Sequence, residues 1–73
     1  MKVEPVTLNN DLMEVITETP CAPGTPITLE LGELRLQAKS RGTKKRDDGR
    51  FDLKVRLVGL RREERERLVA LMG

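Results

Sequence analysis

The sequence predicts a mainly β fold carrying a single C-terminal helix, and three observations point that way. Two stretches alternate apolar and polar residues with a period of two: Ile27, Leu29, Leu31, Leu34, Leu36 and Ala38 in the middle of the chain, and Phe51, Leu53, Val55 and Leu57 nearer its end. Gly, Pro, Asn and Asp clusters bound these stretches, as turns require. From Leu60 the period changes to that of a helix, with Leu60, Leu68, Leu71 and Met72 near one face and Arg61, Arg62, Glu63, Glu66 and Arg67 largely elsewhere.

Taken in order, Val3–Leu8 reads as a short extended stretch punctuated by Pro5, and Asn9-Asn10-Asp11 as a reversal, because these side chains bond their own backbone. Leu12–Thr19 is rich in β-branched residues and reads as a second strand. Pro23-Gly24 suits a type II turn, since proline presets the first central angle and glycine accepts positive φ at the second. The alternation from Ile27 to Leu31 gives a third strand. Gly32 marks a bulge or bend before Leu34–Ala38, which pairs with Phe51–Leu57 across the polar stretch Ser40–Gly49. The C-terminal segment gives an amphipathic helix of about three turns, long enough to lid one end of a barrel.

With 73 residues, the chain has room for one domain spanning 1–73. Its core must be thin and aliphatic, filled by residues such as Val15, Ile27, Leu29, Leu36, Val55 and Leu57, with Phe51 the only aromatic. A core of this size supplies roughly 3–5 kcal/mol, so self-association or a partner is expected.

The 14 Lys+Arg and 12 Asp+Glu leave a net charge of only +2, but they are segregated. Residues 1–34 hold Lys2 against Glu4, Asp11, Glu14, Glu18, Glu30 and Glu33, whereas nine bases face three acids over 35–56. Such asymmetry suggests a basic binding face or an attractive contact between copies. Cys21 is alone and the chain has no His, so neither an internal disulfide nor a Cys/His zinc site is expected. No apolar run approaches the roughly 18 residues of a membrane span, and residues 2–5 lack signal-peptide character, so a cytoplasmic location is expected.

Catalysis needs a nucleophile beside a base, or carboxylates in contrasting environments, and the sequence offers little of either, so no enzyme is expected. Asp47-Asp48 reads most simply as turn former and charge balance, and the glycines match no phosphate-binding fingerprint. Lys39-Ser40-Arg41-Gly42-Thr43-Lys44-Lys45-Arg46 reads as a basic hairpin loop. Arg41, Lys44, Lys45, Arg46 and Arg50 are the candidate binding residues, whether for an acidic protein patch, a nucleotide or a nucleic acid. The lack of Trp and Tyr removes a stacking platform for single strands, so nucleic-acid binding through hairpin 39–50 would be phosphate-driven. Arg61 and Arg65, one helical turn apart beside Glu63, Glu64 and Glu66, read as an ion-paired solvent face.

Read as one string, Ala22-Pro23-Gly24-Thr25-Pro26-Ile27-Thr28-Leu29-Glu30-Leu31 and Asp48-Gly49-Arg50-Phe51, followed by Val58-Gly59-Leu60 and Arg65-Glu66-Arg67-Leu68, resemble the PilZ family over about four-fifths of the chain. The resemblance implies a small antiparallel β-barrel or half-barrel with one C-terminal helix. It also implies a bacterial signalling module linked to cyclic di-GMP and to motility, pili or surface behaviour. The family's ligand motifs are not matched. Residues 1–8 hold no arginine to form its pair separated by three residues, and Thr7, Asn9 and Leu12 stand where its Asp/Asn-x-Ser-x-x-Gly motif would fall. The expectation is therefore a non-enzymatic adaptor that acts by protein contact, without a cofactor. Two alternatives stay open: a cyclic di-GMP receptor using non-standard bases, and a nucleic-acid-binding module.

Overall fold

A computed structural model describes residues 2–72. Five antiparallel strands form one sheet: β1 Glu4–Asn9, β2 Leu12–Thr17, β3 Pro26–Leu31, β4 Leu34–Lys45 and β5 Phe51–Leu57. The helix α1, Arg62–Met72, follows. The strand order is β1-β2-β5-β4-β3. Beyond the two edge strands, Lys2 makes one parallel bridge to Glu30 of β3. A single bridge is not a ladder, so the sheet stays open. This arrangement is compatible with a half-barrel and excludes the closed barrel.

Turn chemistry explains the reversals. Asn10 adopts φ 55° between β1 and β2, a left-handed conformation that asparagine tolerates better than most residues. The Thr25 N–H donates to the Ala22 carbonyl at 3.2 Å across Pro23 and Gly24, with Gly24 at φ 83°, as a type II turn demands. Gly32 does more than bend the chain. With Leu31 opposite Leu34, Gly32 and Glu33 alone reverse β3 into β4, and Gly32 takes φ 60° to do so.

The largest departure from expectation lies in β4. The basic stretch is not a loop: the strand continues through Ser40 to Lys45, and the connection to β5 is confined to residues 46–50. Leu34–Lys39 pairs with β3, whereas Ala38–Lys45 pairs with β5, from Ala38 opposite Leu57 to Lys45 opposite Phe51. The apolar run Leu34–Ala38 therefore does not face Phe51–Leu57 along its length. The polarity of this stretch has a structural reason: one face of the strand is solvated and its inward positions include Ser40. Ser40 is buried yet satisfied: its hydroxyl donates to the Cys21 carbonyl at 3.2 Å, and its backbone N–H donates to the Thr25 carbonyl.

The core lies on one face of the sheet. It comprises Met13 and Val15 of β2, Leu29 and Leu31 of β3, Leu34, Leu36 and Ala38 of β4, Leu53, Val55 and Leu57 of β5, and Leu68 of α1. Ile27, expected in this core, is only partly buried against it. Phe51 is half-buried and outside the cluster, because it sits at the first residue of β5 beside the turn.

The helix begins on a backbone cap, the Arg61 N–H donating to Glu64 Oε1 at 3.2 Å, which is one half of a capping box. Leu68 is its one buried residue, with Leu60 and Met72 packed at the margin. Leu71, expected inward, is 56% exposed, in the last turn of the helix. No helix among the described residues is long and apolar enough to cross a membrane.

Candidate functional site: a basic face on the sheet

Because one face of the sheet holds the core, the alternate residues of β2, β5 and β4 line up on the other. Register places them in rows. Asn9, Leu12, Arg56, Lys39 and Pro26 run across all five strands; Thr7, Glu14, Lys54 and Gly42 form the next row; Glu4, Ile16, Asp52 and Lys44 form a third. A bulge falls between Ser40, opposite Val55, and Gly42, opposite Lys54. Arg41 is its extra residue, and the bulge switches which positions of β4 face outward.

Arg41 shares a cleft of about 460 Å³ with Thr7, Asn9, Leu12, Glu14 and Lys54. Its position on the bulge aims it there. The cleft therefore has Arg41 and Lys54 on one flank, Leu12 and the acid Glu14 of β2 between, and the neutral hydrogen-bonding groups of Thr7 and Asn9 on the other flank.

The candidate bases divide into two groups. Arg46 and Arg50 are occupied within the chain. Arg46 Nη1 donates to Asp52 Oδ1 at 2.7 Å and its Nε to Asp48 Oδ2 at 3.4 Å. Arg50 donates through its backbone N–H to Asp48 Oδ1 at 2.9 Å, through Nη2 to Asp48 Oδ2 at 3.2 Å and through Nη1 to Glu4 Oε2 at 3.1 Å. These contacts raise both guanidinium pKa values, Arg46 chiefly through the Asp52 bond and Arg50 chiefly through Asp48. They hold the Asp48 carboxyl below its ordinary range, the Arg50 backbone bond first among the causes. The Asp47-Asp48-Gly49 tip is thus a turn with internal charge balance. The Arg46 N–H donates to the Arg50 carbonyl at 2.8 Å, and Gly49 takes φ 85°.

Arg41, Lys44 and Lys45 have no carboxylate within 4.0 Å among the described residues, and Lys39 and Arg56 are in the same position. Lys45 stands apart from the basic face, since it lies opposite Phe51 on the side that carries the core. Lys39, Lys54 and Arg56 lie on this face although none of them is among the candidate binding residues of the sequence. Their signal was the outward parity of Lys54 and Arg56 in the alternating run 51–57, which becomes informative once β4 is known to continue beside them.

Lys39 and Arg56 are directly opposite each other, a like-charged pair that costs stability in a sheet. Lys54 is only loosely neutralised, its Nζ 3.8 Å from Glu14. No family model matches the chain, and comparison with curated proteins and with solved structures finds no match either.

The helix arginines behave differently from one another. Arg65 Nη1 donates to the Asn10 carbonyl at 3.0 Å and Nη2 to Asp11 Oδ1 at 2.8 Å, tying α1 to the β1–β2 turn. Arg62 approaches Glu66 at 3.5 Å along the helix, whereas Arg61 contributes through its backbone cap. Cys21 is half-buried, with Sγ 3.9 Å from the Thr19 carbonyl.

Proposed function

We propose that this chain is a non-enzymatic regulatory module of PilZ-like type that works as an adaptor, docking a protein partner on its basic sheet face. The observation that carries the reading is the set of cations on that face without a carboxylate within 4.0 Å among the described residues, Lys39 opposite Arg56 and Arg41 beside the Glu14-paired Lys54. Opposite charges face each other in the neighbouring rows, Glu14 with Lys54 and Asp52 with Lys44, whereas Lys39 and Arg56 form a like-charged pair that solubility alone does not require. The resemblance in the Pro-Gly turn, the Asp-Gly-Arg-Phe strand and the closing helix supplies the signalling context, and the unmatched ligand motifs favour contact over nucleotide binding.

Direct capture of cyclic di-GMP is the second reading, favoured by the cleft in which Thr7 and Asn9 face Arg41 and Lys54. Isothermal calorimetry with cyclic di-GMP separates the two. The adaptor reading predicts no heat at micromolar nucleotide, and micromolar or tighter binding abolished by Arg41→Ala would replace it with the receptor reading.

A further inference from the structure

The basic face is bordered on β2 by two aliphatic residues, Leu12 and Ile16, on either side of Glu14, and the cations and Leu12 together describe an occupant. On β2, Leu12 is 42% exposed and Ile16 half-buried on the same face as the cations of β5 and β4. Leu12 lies directly beside Arg56, and Arg56 directly beside Lys39. Between neighbouring strands the spacing is about 4.8 Å, so a leucine and two cations lie within roughly 10 Å of one another.

We infer that this face binds an acidic protein segment that also carries aliphatic side chains, with carboxylates on Arg56, Lys39 and Arg41 and an aliphatic group over Leu12. The inference rests on the adaptor reading above and names the partner's chemistry. Charge complementarity supplies the sign of the partner, and the exposed Leu12 beside Arg56 supplies the rest. A nucleic acid would match the cations but not the exposed leucine, and the face offers its bases no aromatic stack, the one Phe lying on the opposite side of the sheet. Glu14, between Thr7 and Lys54 in the cleft, opposes a continuous row of phosphates, whereas spaced carboxylates reach Arg56 and Lys39 in the neighbouring row without crossing it.

Two fluorescein-labelled peptides of equal length and charge test this by anisotropy, one alternating Glu with Leu and the other Glu with Ser, with a duplex DNA of similar length as the third probe. The Glu-Leu peptide is expected to bind the most tightly. Lys39→Glu combined with Arg56→Glu should weaken it roughly tenfold or more, as loss of complementary charge does at an interface. Leu12→Ser should bring its affinity down to that of the Glu-Ser peptide without changing circular dichroism. Equal affinity for the two peptides would overturn the inference while leaving charge-driven docking intact. Preferential binding of the duplex, with a steep salt slope shared by the variants' losses, would overturn the inference and the adaptor reading together.

Discussion

Asp48 shows how a single side chain closes the β4–β5 turn: it accepts the Arg50 backbone N–H and holds the guanidinium groups of Arg46 and Arg50. Because its carboxyl is held below the ordinary range in the folded chain, the stabilisation is fully present above the unfolded value of about 4 and is lost as pH falls through the folded value. Asp48→Asn should therefore lower the melting temperature at neutral pH, and the gap to the unmodified chain should close on acidification below about pH 4. Thermal melts from pH 7 to pH 2 check this, and a gap constant across the range would contradict it. Asp48 as a turn residue is legible from sequence, because an Asp-Asp-Gly tip between alternating runs has few other uses. Its capture of Arg46 and Arg50 is not, since the partners are fixed only when the strand ends are. The same holds for Leu68, which helical spacing places inward and which proves to be fully buried. Leu68→Ala should cost about 2–5 kcal/mol in chemical denaturation, the range for a large-to-small change in a packed core.

Among the elements, β3, β5 and α1 follow directly from periodicity, and β2 does so from its β-branched content. The far half of β4 escapes because two features defeat a period-two search at once. Ser40 occupies an inward position with a polar side chain, and Arg41, as the bulge residue, shifts the parity of everything after it. That half-strand brings Arg41 and Lys44 alongside Lys54 on β5, so part of the basic face comes from the stretch that is hardest to read locally. Gly32 shows the converse. Its residue type signals a break, but only the register of Leu31 against Leu34 shows a two-residue reversal. Gly32→Ala should destabilise the hairpin by about 1 kcal/mol or more, through left-handed strain alone, because nothing lies within 4 Å of the added carbon. A substitution without effect on the denaturation midpoint would show that the turn relaxes into another conformation.

At the scale of the molecule, segregated charge in the sequence becomes a division of labour between surfaces. Acids of the N-terminal half are partly spent on holding the frame together, Glu4 with Arg50 and Asp11 with Arg65, which join the first hairpin to the turn at 46–50 and to the helix. The bases of β4 and β5 that these acids do not reach are left on the outer face. Such a face is expected to cost stability in the free chain and to return it on binding. Lys39→Glu tests this central claim most directly, by urea denaturation of the free chain beside anisotropy with the Glu-Leu peptide. Placing an acid opposite Arg56 should raise the unfolding free energy by about 0.2–1 kcal/mol while weakening the peptide. A variant that is less stable than the parent and binds the peptide as tightly would show that Lys39 serves the fold and that the basic face is not a docking surface.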